Sequence, residues 1–161
     1  MRETRHDVRP LGPAAGAASV LLGPEDERIS VLVLSSMGRD LASLVSILGR
    51  TRWHVFWFTS ASDALMEMSR TPVPVVICDG EMPQGAWRRI LRHSMTMPFP
   101  PRVIVTSALG QERFWAEVLN WGGYDVLAKP YEAGEIYRVV SAAYRSWTAE
   151  RGRGAAWAMG A

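Results

Sequence analysis

Short apolar blocks recur along the chain at a spacing of roughly 20 to 25 residues, and the hydrophobic positions between them take up a helical period. Residues 29–34 (Ile-Ser-Val-Leu-Val-Leu), 53–58 (Trp-His-Val-Phe-Trp-Phe), 75–79 (Val-Val-Ile-Cys-Asp), 102–106 (Arg-Val-Ile-Val-Thr) and 124–128 (Tyr-Asp-Val-Leu-Ala) read as five strands. The third opens with an unbroken apolar run, the habit of a strand covered on both faces in a parallel sheet. Leu41, Leu44, Val45 and Leu48 share one face of a first helix, with Ser36 as a candidate cap and Gly49 at the exit. Ala64, Leu65 and Met68 belong to a second helix, capped by Ser60 or Ser62 and ended at Thr71-Pro72. Residues 85–95 form a third, with Trp87, Ile90, Leu91 and Ser94 on one side and Arg88, Arg89 and Arg92 mostly on the other. Residues 111–121 form a fourth, stopped by Gly122-Gly123 as a left-handed C-cap requires. A fifth helix over 132–147 turns Ile136, Val139, Val140, Ala143 and Trp147 inward.

Alternating strands and helices are the signature of βαβ units wound into one parallel sheet, and right-handed crossovers put helices on both faces. The fold class is therefore α/β, doubly wound. A length of 161 residues suits one domain with a real core. Residues 28–148 carry the periodic pattern. Residues 1–27 mix Pro, Gly, Ala and charge and read as a flexible leader, with a short helix expected around 14–22, and residues 149–161 read as a flexible Gly/Ala tail.

Composition narrows the class. With 48% hydrophobic residues in short blocks, a disordered or fibrous chain is excluded. No block approaches the roughly 20 apolar residues of a membrane span, and residues 1–10 lack the continuous apolar run of a secretory signal. No membrane association is expected, and the cytoplasm is the default location. A net charge of +2, with arginines scattered over helix surfaces and tails, gives no reason to expect nucleic acid. Cys78 is the single cysteine, which excludes an internal disulfide and a cysteine metal cluster.

The candidate chemistry lies at the strand ends. The first, third, fourth and fifth strands end in Ser35/Ser36, Asp79, Thr106 and Lys129, and in an open α/β sheet ligands gather outside the carboxyl ends of the strands. A carboxylate, a hydroxyl and an amine on one edge suit phosphoryl transfer. Aspartate accepts a phosphoryl group as a nucleophile, lysine pairs with its charge, and threonine donates to one of its oxygens. The competing reading makes Asp79 the N-cap of the next helix.

Asp79-Gly-Glu-Met-Pro, Thr106-Ser-Ala and Gly122-Gly-Tyr-Asp-Val-Leu-Ala-Lys-Pro, in that order and each at a strand end, resemble the phospho-acceptor, hydroxyl and lysine motifs of the receiver domain of two-component response regulators. The resemblance covers about residues 29–147. It implies a flavodoxin-like (βα)5 sheet of five parallel strands in the order 2-1-3-4-5, a cis Lys129-Pro130 bond, and a bacterial phosphorelay role. It makes Asp79 the phospho-acceptor, Thr106 and Lys129 the phosphate contacts, and a histidine kinase or other signalling protein the partner. It also implies Mg²⁺ as cofactor, held by a pair of acids at the end of strand one. Ser35 and Ser36 stand at those positions and remove two negative charges, leaving Asp79 with Glu81 as the candidate carboxylates for the ion. Val126 stands where the family carries an aromatic residue whose rotamer reports phosphorylation.

The family docks partners or a second copy on its fourth helix, fifth strand and fifth helix. Trp115 with Tyr137 or Tyr144 is the expected interface, since aromatics are enriched at interface cores. Trp121 is read chiefly as core. The resulting expectation is a receiver-like signalling domain with impaired or unconventional Mg²⁺-dependent phosphorylation, not an enzyme beyond self-catalysed acceptance at Asp79. The alternative is a phosphorylation-independent pseudo-receiver acting as an interaction module. No output domain is read after Trp147. A flavodoxin-like enzyme or small-ligand binder is disfavoured because Leu34-Ser-Ser-Met-Gly-Arg lacks a glycine-rich phosphate cradle.

Overall fold

The computed structural model describes residues 18–20, 29–36, 38–51 and 53–160. Five parallel strands, β2 (Ile29–Leu34), β3 (Trp53–Phe58), β4 (Val75–Asp79), β5 (Arg102–Ser107) and β6 (Asp125–Ala128), follow the apolar blocks closely. A further strand, β1 (Ala18–Val20), pairs antiparallel with β3, and the whole sheet runs β1-β3-β2-β4-β5-β6. Counted among the parallel strands alone, the order is the expected 2-1-3-4-5 of a flavodoxin-like (βα)5 fold.

The strand alternation divides the core in two. Leu32, Leu34, Phe56, Phe58, Val76, Cys78, Val103 and Val105 point to one face, where α2 (Ala61–Arg70), α3 (Ala86–Ser94) and α4 (Glu112–Asn120) cover them. Val31, Val33, Val55, Val75, Ile77, Ile104 and Leu127 point to the other, under α1 (Arg39–Leu48) and α5 (Ala133–Met159). Every residue of β4 is buried, which accounts for its unbroken apolar run.

Local signals set most helix ends. The Ser60 hydroxyl accepts the Asp63 N–H at 3.4 Å and caps α2. Gly122, at φ +92°, ends α4 in the left-handed region, and the following Gly123 N–H reaches back to the Val118 carbonyl at 2.9 Å. Gly49 closes α1 as expected, but Ser36 does not cap it. Gly38 occupies that position, and the Ser36 hydroxyl instead meets Met82 Sδ at 3.2 Å.

Two expectations about the ends of the chain are corrected. A strand, Ala18–Val20, stands within the segment expected to be helical around 14–22, because the open edge of β3 offers backbone partners there. The rest of the 1–27 leader lies outside the described residues. At the other end α5 does not stop at Trp147 but continues to Met159, through most of the expected flexible tail. Gly152 and Gly154 argue against a helix by propensity alone. Tertiary contacts override them: Arg102 Nε donates to Ser146 Oγ at 3.0 Å, Arg102 pairs with Glu150, and the Arg151 guanidinium lies 4.6 Å from the Trp147 ring centre and 5.5 Å from that of Phe99.

Ile104, fully buried between β4 and β6, is expected to cost about 3 kcal/mol when cut to alanine. Arg153, exposed on the last turns of α5, is expected to cost less than about 0.5 kcal/mol. Urea unfolding of the two variants against the natural chain measures both.

Candidate functional site

Parallel strands in register carry their carboxyl ends to one edge. Asp79 ends β4 opposite Thr106 of β5, Ser35 follows β2, and Lys129 follows β6 with its N–H bonded to the Ser107 carbonyl at 3.0 Å. Gly80 makes the close approach possible. Its N–H lies 2.7 Å from the Thr106 carbonyl oxygen, and a Cβ at this position would stand at the same distance from that oxygen. Asp79 is only 7% exposed. Its side chain does not cap α3, whose N-cap is Gly85, so the capping alternative falls.

The Lys129 ammonium sits among three carboxylates: Asp79 Oδ1 at 2.9 Å, Glu81 Oε2 at 3.0 Å and Asp40 Oδ2 at 3.2 Å. Asp79 Oδ1 also accepts the Glu81 N–H at 2.9 Å, and Oδ2 accepts from the Ser35 hydroxyl at 3.3 Å. Glu81 Oε1 accepts from the Ser107 hydroxyl at 3.1 Å and the Ala108 N–H at 2.7 Å. Thr106 is buried, with its hydroxyl beside the Tyr131 phenol rather than on Asp79 or Lys129.

These contacts set the ionisation of the cluster. Burial pushes the Asp79 carboxyl above the usual carboxylate range, helped by the hydrogen bond shared with the Glu81 carboxyl, while Lys129 and the Glu81 N–H pull the other way. Burial also opposes ionisation of Glu81, but hydrogen bonds from Asp79, Ala108 and Lys129 outweigh it and lower its pKa to about 2. At Lys129 burial disfavours the charge, and the hydrogen bonds to Asp79 and Glu81 overcome it and raise the pKa. Cys78, immediately before Asp79, is driven upward by burial and then by the neighbouring carboxylate, so its thiol is inert core.

The response regulator receiver domain family matches residues 39–141, nearly two thirds of the sequence. The chain belongs to that family. The matched span begins at Arg39, just past Ser35 and Ser36. No curated protein sequence matches the chain. Similar solved structures include the signal receiver domain of an HD domain-containing protein from Pseudomonas fluorescens Pf-5, with TM-score 0.71 and 22% identity over 82% of this chain and 98% of that one. The beryllofluoride-activated NtrC4 receiver domain dimer gives TM-score 0.66 and 23% identity over 73% and 98% of the two chains. A CheY-like receiver domain protein from Methanospirillum hungatei JF-1 gives 0.67 and 15% over 76% and 98%. At these identities the likeness shows the fold. Receiver domains are signalling domains rather than enzymes, they interact with kinases and other signalling proteins, and they usually bind Mg²⁺ in phosphorylation.

Asp79, Lys129, Glu81 and Ser35 are therefore brought together, with Thr106 at the same edge. Ser36 is exposed and turned toward Met82. The arrangement does not fit Mg²⁺: both oxygens of Asp79 and both of Glu81 already face donors, and an ammonium lies where a cation would be drawn. Among the described residues no group of three or more His, Cys, Asp or Glu side chains is arranged to hold a metal ion, and no helix is long and apolar enough to cross a membrane.

Two residues of the cluster escaped sequence reasoning. Asp40 carries no motif, yet the helix after strand one starts at the same sheet edge, and that topology was the available signal. Tyr131, two residues past Lys129, had no motif to mark it.

The expected interface residues separate. Val126 is half-buried and lines a cavity of about 310 Å³ with Phe114, Trp115 and the loop before α4. Trp115 is 46% exposed and donates Nε1–H to Asp125 Oδ1 at 3.3 Å. Trp121 packs on Trp87, with ring centres 6.1 Å apart. Tyr137 instead turns toward α1, donating to the Ile47 carbonyl at 3.0 Å and meeting Trp53 edge-on, while Tyr144 lines a groove with Trp53 and Ile29. Both tyrosines lie on the side of α5 that faces α1, so they do not join Trp115 in one patch.

Lys129→Met removes the one ammonium among three carboxylates. Lys129 has a raised folded-state pKa, so with its carboxylate partners ionised its stabilisation is present below about 10.5, its ordinary value, and is lost as pH rises through the folded-state value. The variant is expected to lose about 3 kcal/mol at pH 7, where the carboxylates are ionised and repel. The loss should shrink near pH 4, because Asp79, with its raised pKa, protonates first in the folded chain. Thermal unfolding at the two pH values checks this.

Proposed function

We propose that the chain is a cytoplasmic receiver-like signalling domain of a phosphorelay, with Asp79 as its phosphoryl acceptor and with impaired, unconventional uptake. The observation that carries this reading is the buried Asp79 carboxylate, 2.9 Å from the Lys129 ammonium on the sheet edge that also bears Thr106. In the step proposed, an Asp79 oxygen attacks phosphorus in line, the new O–P bond forms as the donor's bond to phosphorus breaks, and the leaving group takes that electron pair and a solvent proton. Lys129 offsets the charge that arrives. No other chemistry is assigned to the chain.

A second reading, a phosphorylation-independent interaction module, is favoured by Ser35 and Ser36 at the acid-pair positions and by Val126 in place of an aromatic switch. With two potential negative charges missing and the remaining carboxylates held by donors, Mg²⁺ would bind weakly. The partner is a histidine kinase or other signalling protein, and a homodimer would use α4, β6 and α5. Trp115, with the adjoining apolar cavity, supports the α4 and β6 part of that surface, and Tyr137 and Tyr144 are withdrawn to the α1 side of α5.

Intact mass after incubation with acetyl phosphate, with and without Mg²⁺, tests acceptance. The expected result is a slow, substoichiometric phosphate adduct on the natural chain that is lost in Asp79→Ala. No adduct under any condition would favour the interaction module. Trp115→Ala is expected to weaken self-association or partner binding by roughly tenfold; an unchanged solution mass and unchanged partner affinity would remove α4 from the interface.

A further inference from the structure

The donors around Asp79 already hold an anion that belongs to the chain. Glu81 Oε1 takes the Ser107 hydroxyl at 3.1 Å and the Ala108 N–H at 2.7 Å, and Oε2 takes the Lys129 ammonium at 3.0 Å. The Ser107 hydroxyl accepts the Leu109 N–H at 3.1 Å, which leaves its proton for Glu81. The Glu81 backbone is itself fixed by its N–H on Asp79 Oδ1. A phosphoryl group arriving at Asp79 spreads its charge over three oxygens and needs donors for them. The Lys129 ammonium, the Ser107 hydroxyl and the Ala108 N–H are three such donors on this edge, and one carboxylate engages all three, while the Thr106 hydroxyl stays apart from Glu81.

We propose that Glu81 is the specificity-determining residue of this site, an internal anion that fills the donor set beside Asp79 and excludes a phosphoryl group from it. The proposal rests on the reading of Asp79 as acceptor. Entry of a phosphoryl group at Asp79 requires Glu81 to give up its charge-assisted hydrogen bonds, and it also sets the new charge against the carboxylates of Glu81 and Asp40. The same contacts tie the loop after β5 to Glu81. The wall of the adjoining cavity, formed by Ser107, Gly110 and Gln111 beside Trp115, is therefore held in one state with no phosphate present. The domain thus presents an anion-filled site permanently. Glu81 does with a carboxylate, in cis, what a transferred group would do only transiently.

Beryllofluoride, which bonds to a carboxylate oxygen as a stand-in for a phosphoryl group, is the probe. Fluorine-19 NMR would follow it on the natural chain, on Glu81→Ala, on Glu81→Gln and on Glu81→Ala/Asp79→Asn, with and without Mg²⁺, after circular dichroism shows that each is folded. Glu81→Ala is expected to show bound resonances at a concentration at least about tenfold below that needed for the natural chain, and the double variant to show none. Glu81→Gln, which keeps the shape and loses the charge, is expected to fall between them and serves if the alanine variant does not fold. Equal binding by the natural chain and Glu81→Ala would overturn the role of Glu81 and leave Asp79 standing as an acceptor. No binding by a folded Glu81→Ala would overturn it too, and acetyl phosphate labelling of the natural chain then decides separately whether Asp79 accepts.

Discussion

Among the described residues the Lys129 ammonium is the one positive charge within hydrogen-bonding distance of Asp40, Asp79 and Glu81, and the carboxyl edge of the sheet is arranged around it. Each acid comes from a different part of the chain: the first turn of α1, the last residue of β4 and the loop after it. The lysine follows β6. Without the ammonium, three carboxylates would converge at a partly dry site, where like charges repel more strongly than in water. With it, Glu81 and Lys129 stay ionised, while burial raises the pKa of Asp79 against the pull of the ammonium.

The rest of the fold makes that convergence possible. Strand alternation splits the core into two apolar layers, one under α2, α3 and α4 and one under α1 and α5, so the sheet is dry on both sides and its strands stay in register. Register is what sets Asp79 beside Thr106, since a slip of one residue would turn each side chain to the opposite face. Gly80 then lets the loop turn against β5, and the loop brings Glu81 to the Ser107 hydroxyl and the Ala108 N–H. Tyr137 and Tyr144 part from Trp115 because they pack toward α1 and Trp53, within the second layer.

What can be read from residues in order, and what cannot, follows the range of the forces involved. Apolar runs and helical periods are local, so the five parallel strands and five helices were legible to within a few residues, apart from the C-terminal end of α5, as were the caps at Ser60, Gly49 and Gly122. Asp79, Thr106 and Lys129 were legible because each ends a strand, and a parallel sheet gathers strand ends. The cis Lys129-Pro130 bond followed from the family resemblance. Where local propensity pointed the wrong way, long-range contacts decided. Gly152 and Gly154 read as tail, yet Arg102 and Phe99 hold α5 at Glu150 and Arg151, past the expected end at Trp147, and the open edge of β3 drew Ala18–Val20 into a strand.

By itself, then, the sequence determined the alternating α/β plan and the edge on which chemistry gathers, because periodicity and strand ends are written along the chain. Only the tertiary structure decided which groups touch. Glu81 read as a candidate metal ligand, and Asp40 had no assigned role, until the fold set both against Lys129. The physical reason is that a charge takes its role from neighbours within about 4 Å, and those neighbours lie 48 and 89 positions away in sequence.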